Sequence, residues 1–174
     1  MLILMAGLPA TGKSTIAQRL ARDLPALLLD KDTIRAALFP PSEIDYSVQQ
    51  DDLCVRVMLQ AADYALHRDR TKHVILDGRP FSRGYQVMEC AQVAQVLGVP
   101  LRVIHCVCSD ETAKKRLKRD SHEGSHLAAN RDFGLYQTLK AHFEPIVQEK
   151  LLVNTDEDVE ACLQSCLSYL RSAQ

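Results

Sequence analysis

Residues 7–15, Gly-Leu-Pro-Ala-Thr-Gly-Lys-Ser-Thr, constrain this chain more than any other stretch. They fit G-x-x-x-x-G-K-[ST], a spacing whose glycines, lysine and hydroxyl together cradle phosphate groups. The apolar run Leu2–Ala6 before it reads as a buried strand, and Ile16–Ala21 after it as an amphipathic helix. Strand, Gly-rich turn and helix let converging backbone N–H groups and the positive end of a helix meet a crowded negative charge. Gly7 and Gly12 permit the unusual dihedrals and close backbone approach that such a loop needs. In that loop Ala10 and Thr11 lie against the phosphates, and Lys13 reaches the β- and γ-phosphates. Ser14 ligates Mg²⁺ through its hydroxyl, and Thr15 serves the helix start or a phosphate contact. The bland alternative, an ordinary βα turn, leaves the agreement of pattern, strand and helix unexplained.

The 174 residues suit one domain with a sizeable core. A formal net charge of −1 gives no reason to expect a long nucleic-acid track or a membrane surface as partner. No apolar run approaches a membrane span. The N-terminus enters the first strand directly, without a basic region or cleavage site, so no secretory signal is expected and the cytoplasm is. Six cysteines raise the question of metal or disulfides. Cys106 and Cys108 fall in an apolar strand pattern, and Cys162 and Cys166 share the apolar face of the last helix. Small buried residues are the simpler reading for them.

Along the chain, strands are expected at Ala26–Leu29, Val74–Leu76, Leu101–Val107 and Leu151–Val153. Helices are expected at Thr33–Leu38, Val48–His67, Gly84–Leu97, Glu111–Arg119, Phe133–Glu149 and Asp156–Leu170. Pro145 kinks or ends the sixth of the chain's seven helices, and Gly98 stops the fourth. Asp120–Asn130 is polar and loop-like. Alternation of strands and helices implies a mainly parallel sheet covered on both faces. Ligands bind such sheets outside the carboxyl ends of the strands, so the residues there are informative. They are Gly7 onward, Asp30/Asp32, Asp77/Arg79 and Ser109/Asp110.

Asp77 closes an apolar strand and suits a carboxylate that holds Mg²⁺ through water or orients an acceptor; a turn or cap aspartate is the alternative. Arg79 and Arg83 follow in one loop and suit substrate or phosphate contacts, or the surface. Asp30 and Asp32 end the second strand, where a carboxylate could orient an acceptor hydroxyl and take its proton. Arg35 sits one turn on from Asp32 and could anchor the acceptor. Asp32 is equally suited to cap the helix starting at Thr33. Lys114, Lys115, Arg116, Lys118 and Arg119 crowd the helix before the polar segment. Such a run is commonly a solvated face, but it also suits a lid spanning about 116–131 that closes over a nucleotide, with Arg131 as a further cation. His122 and His126 read as exposed polar residues.

With G-L-P-A-T-G-K-S-T at 7–15, D-K-D-T-I-R at 30–35, V-I-L-D-G at 74–78 and K-K-R-L-K-R at 114–119, the chain resembles the small P-loop kinases. The likeness is to the AAA-domain kinase group related to zeta toxins, chloramphenicol phosphotransferase and polynucleotide kinase domains. The resemblance implies a three-layer α/β P-loop NTPase fold with sheet order 2-3-1-4-5. It implies Asp32 as general base, Arg35 as acceptor anchor, and Arg116 and Arg119 as lid arginines on the nucleotide. The loop after Asp77, Gly-Arg-Pro-Phe, matches no acceptor class.

The expected function is therefore transfer of the γ-phosphate of ATP, with Mg²⁺, to a hydroxyl of a small molecule, by a monomer or homodimer. Lys13, Asp32, Arg35 and Arg119 would carry the chemistry. Two alternatives stand beside it. One is a kinase of polynucleotide 5′-hydroxyls or nucleotide sugars; the other is an ATP-hydrolysing switch or assembly factor without an acceptor.

Overall fold

The fold was taken from a computed structural model, which describes residues 1–123 and 132–172. Five parallel strands form one sheet: β1 (Leu2–Ala6), β2 (Ala26–Asp30), β3 (His73–Asp77), β4 (Leu101–Val107) and β5 (Lys150–Asn154), in the order β2-β3-β1-β4-β5. Seven α-helices are described: α1 (Lys13–Asp23), α2 (Lys31–Leu38), α3 (Val48–Arg68), α4 (Gly84–Leu97), α5 (Asp110–Glu123), α6 (Phe133–Ala141) and α7 (Val159–Arg171). The expected α/β class and strand order hold. No helix among the described residues is long and apolar enough to cross a membrane.

Two cores, one on each face, sandwich the sheet. The period of two along β1 sends Leu2, Leu4 and Ala6 toward α3 and α4, and Ile3 and Met5 toward α1 and α7. Both sets are fully buried, which is why β1 reads as a continuous apolar run rather than an alternating one. Each buried Leu or Ile contributes roughly 1.5–3 kcal/mol. All six cysteines are free thiols, five of them buried, and no cluster of metal-ligating side chains occurs among the described residues.

Three boundaries depart from the sequence reading. α6 ends at Ala141, not near Glu149. Pro145 disfavours helix just before it, and Glu144 is occupied elsewhere. Its N–H donates to the Ser82 carbonyl, and its carboxylate accepts from the Gly84 N–H (2.7 Å) and from Arg83 (3.2 Å), fixing the start of α4. α5 runs to Glu123, beyond Arg119. α7 starts at Val159, because Asp158 caps it through the Glu160 and Ala161 N–H groups.

Candidate active site

The site forms where β1, β2, β3 and β5 end. Gly7 has φ +132°, and a Cβ there would lie 2.2 Å from the Cys106 carbonyl oxygen, so β1 can turn into the loop only without a side chain. The loop then bends through Ala10 at φ +61° and hands over to α1 at Gly12, whose left-handed conformation supplies no side-chain cap. The first turn of α1 therefore presents backbone N–H groups to the loop's concavity, an anion cradle. Lys13 is buried, and its Nζ donates to the Leu8 carbonyl at 2.7 Å, arching across the loop.

Asp77 lies against this cradle, only 2 % exposed, and its Oδ1 has no hydrogen-bond partner among the described residues. Burial pushes its carboxyl pKa up, while hydrogen bonding from the neighbouring Ser14 hydroxyl and the charge of Lys13 pull it back. A carboxylate oxygen left unsatisfied next to a serine hydroxyl at a phosphate cradle fits Mg²⁺. That ion is held by one or two protein oxygens, with water and phosphate completing its shell.

Two cavities meet at Lys13 and Ser14. The first, about 420 Å³, is lined by Gly12, Thr15, Arg116, Arg119, Thr155 and Glu157 among others. The second, about 240 Å³, is lined by Lys31, Asp32, Arg35, Tyr46, Asp51 and Arg79 among others.

In the larger cavity Arg116 is fixed rather than loose. Its Nη1 donates to the Ala10 carbonyl (3.1 Å) and the Thr155 hydroxyl (3.0 Å), and its Nη2 donates to the Thr155 carbonyl (2.8 Å). The Thr155 hydroxyl in turn donates to the Thr11 carbonyl at 3.0 Å, so α5, the residue after β5 and the phosphate loop are tied together. Arg119, one turn further along α5, is exposed at the same cavity. Lys114, Lys115 and Lys118 are exposed and form the ordinary solvated face, with Lys115 paired to Glu111 at 2.8 Å. Arg131 and His126 lie outside the described residues, as do the side chain of His122 and the second half of the expected lid, 124–131.

At the smaller cavity the cap of α2 is Asp30, not Asp32. Asp30 accepts from the Thr33 N–H (2.7 Å) and hydroxyl (2.8 Å). Asp32, 7 % exposed, is left for other work. Its Oδ1 accepts from Arg35 Nη1 at 2.5 Å and lies 3.4 Å from Lys31 Nζ; its Oδ2 has no hydrogen bond among the described residues. Arg35 also pairs with Asp51, which binds Lys31 through both oxygens at 2.9 Å, and its guanidinium lies over the Tyr46 ring at 5.1 Å. Arg79 is buried and bound to Asp52 and Tyr85. Arg83 is not in the cavity: it pairs with Glu144 on the surface.

Sequence reasoning missed Lys31, Asp51, Asp52 and Thr155. The strand-end rule could have found Thr155, which directly follows β5. The two aspartates belong to no motif, and only the packing of α3 against α2 brings Asp51 to Lys31, 20 positions away.

No curated protein sequence matches the chain. Among solved structures it is similar to a protein of Chloroflexus aurantiacus j-10-fl classed by inference as a kinase, with 20% identity, 97% of each chain covered and a TM-score of 0.74. It is also similar to a sugar kinase of Janibacter sp. HTCC2649, with 16% identity, 98% of this chain and 94% of that one covered, and a TM-score of 0.70. An APS kinase of Mycobacterium tuberculosis, solved with AMPPNP and APS, shows 17% identity, 98% and 96% coverage and a TM-score of 0.69. At such identities the likeness concerns the fold. Residues 2–146 match the family described as an AAA domain, and the chain, with its P-loop and five-stranded parallel sheet, belongs to that family.

Proposed function

We propose that the protein is an ATP- and Mg²⁺-dependent phosphotransferase that phosphorylates a hydroxyl of a small molecule. The observation that carries this reading is the placing of Lys13 and Ser14 between two cavities, one with arginines for a nucleotide, the other with a buried carboxylate for an acceptor. A hydrolase without an acceptor has no need of the second.

In this reading the larger cavity takes the nucleotide, with Arg116 and Arg119 beside its phosphates. The α1 N-terminus and Lys13 hold the β- and γ-phosphates. Ser14 and Asp77 would hold Mg²⁺, which supplies charge neutralisation on the transferring group. The acceptor hydroxyl donates its hydrogen to Asp32 Oδ2, and Arg35 and Lys31 fix the carboxylate through Oδ1. As the acceptor oxygen bonds to the γ-phosphorus and the bond to the bridging oxygen breaks, Asp32 takes the proton and ADP departs. Lys13 and Arg119 stabilise charge on the transferring group.

The test is transfer of labelled γ-phosphate from ATP to a panel of hydroxyl compounds by wild type and Lys13→Ala. Transfer that Lys13→Ala abolishes supports the reading. ADP release that no acceptor changes contradicts it.

A further inference from the structure

Within the acceptor cavity, hydrogen-bond demand is unevenly met. The Asp51 carboxylate is taken by Lys31 and Arg35, and the Asp52 carboxylate by Arg79 and Tyr85. Asp32 Oδ1 is taken by Arg35, leaving only Oδ2 for a ligand's hydroxyl. Carboxylates already committed to cations are poor partners for an ammonium group. The unmet groups on the cavity's arginines are donors. Arg79, 2 % exposed, has its Nη2 held by Asp52 and Tyr85 while its Nη1 has no acceptor among the described residues; Arg35 Nε also has none there. A buried guanidinium donor without a partner costs about 1–3 kcal/mol or more, so the site is held in a state that an incoming acceptor atom would relieve.

We propose that Arg79 is the anchor for an oxyanion on the phosphoryl acceptor: the substrate carries a carboxylate, phosphate or sulfate as well as the hydroxyl that is phosphorylated. This rests on the phosphotransferase reading above and narrows its substrate class. The two ends of the acceptor divide the cavity's unmet groups between them. The hydroxyl goes to Asp32 Oδ2, and the oxyanion goes to Arg79 Nη1. A guanidinium suits the second task because its N–H groups make charge-assisted hydrogen bonds to an oxyanion, and with Nη2 held by Asp52 and Tyr85 the Nη1 group is the one left to make them. Asp52 and Tyr85 are positioning residues that set the guanidinium's direction. Gly78, Arg79 and Pro80 lie in the loop after β3 that matched no acceptor class in sequence. Its arginine, buried and braced by α3 and α4, is what a selective acceptor loop would need.

The experiment is calorimetric titration of the full chain loaded with AMPPNP and Mg²⁺, so that the phosphate loop is occupied. Glycerate, gluconate and glycerol 3-phosphate are compared with glycerol and sorbitol. The carboxylate and phosphate arms identify which oxyanion is preferred. At least one anionic member is expected to bind tenfold or more tightly than its neutral counterpart, and Arg79→Gln to remove that advantage while Arg79→Lys restores part of it. The wild-type comparison needs no variant, and retained AMPPNP binding by Arg79→Gln shows that the variant is folded. Equal binding of neutral and anionic members, no binding of any anionic member at millimolar concentration, or an advantage unchanged in folded Arg79→Gln would overturn the proposal. Failure of AMPPNP to bind wild type is a separate result and removes the phosphotransferase reading itself.

Discussion

Replacing Asp77 by asparagine should make the ligand-free protein more stable, an advantage that narrows when ligand is bound. The side chain keeps its shape and loses its charge. Asp77 is 2 % exposed with Oδ1 unpartnered among the described residues, and burial outweighs Ser14 and Lys13 in setting its pKa, which is raised. A buried charge whose hydrogen bonds are incomplete costs about 1–3 kcal/mol or more. Taking about 2 kcal/mol, and about 2–4 °C per kcal/mol for a chain of this size, Asp77→Asn should melt about 4–8 °C higher in EDTA at pH 7.5. The pH dependence has a definite sign. The folded carboxyl has the higher pKa, so the penalty is in force above that pKa and fades as pH falls through it. The gap between variant and wild type should therefore narrow on acidification. With Mg²⁺ and AMPPNP the benefit shrinks, from about 2 to about 0.7 kcal/mol. At a hundred times its dissociation constant a ligand stabilises by about 2.7 kcal/mol, and a tenfold weaker variant gains only about 1.4 kcal/mol at the same concentration. Differential scanning calorimetry with and without ligand reads both effects. A ligand-free variant less stable than wild type would refute the argument, because it would mean that Ser14 and Lys13 already compensate the buried charge.

Two further perturbations probe the frame around the site. Thr155→Val removes the hydroxyl joining Arg116 to the Thr11 carbonyl without changing volume; it should cost about 1–3 kcal/mol in urea unfolding and weaken AMPPNP binding. Gly78→Ala places a Cβ 2.9 Å from both the Lys31 nitrogen and Asp30 Oδ2 at φ +87°, a strain of about 1–3 kcal/mol at the start of α2. Acceptor-dependent turnover should fall more than AMPPNP affinity, as titration and kinetics on the same variant would show.

What could be read from the sequence was what local chemistry determines. The phosphate loop, the buried strand before it and α4 with its Gly98 stop all follow from spacing, periodicity and the conformational freedom of glycine. Asp77 and Asp32 were legible as strand-end carboxylates because parallel sheets expose those ends. The start of α2 was not legible: the helix expected from Thr33, with Asp32 as its alternative cap, begins at Lys31 and is capped by Asp30. The helical continuation past Ala141 failed for a nonlocal reason: Ser82 and Gly84, some 60 residues away, draw Glu144 out of any helix. Arg116 was expected, from the resemblance alone, as a lid arginine, and its hold on Ala10 and Thr155 depends on where α5 crosses the loop. Asp51, Asp52 and Lys31 carry no spacing signal at all; their roles exist only once α2, α3 and the loop after β3 are packed.

The central claim is that Asp32 receives the proton of an acceptor hydroxyl. It is tested most directly by measuring ADP formation from ATP and Mg²⁺ for wild type and Asp32→Asn. The measurement is made with and without sugars, hydroxy acids, hydroxy amino acids, nucleosides, aminoglycosides, chloramphenicol and 5′-hydroxyl oligonucleotides. The account predicts that one acceptor class raises wild-type turnover well above background, and that Asp32→Asn loses the increase by about 10²-fold or more while still binding AMPPNP. ADP formed at the same rate without any acceptor, with the aspartate substitution silent, would contradict it.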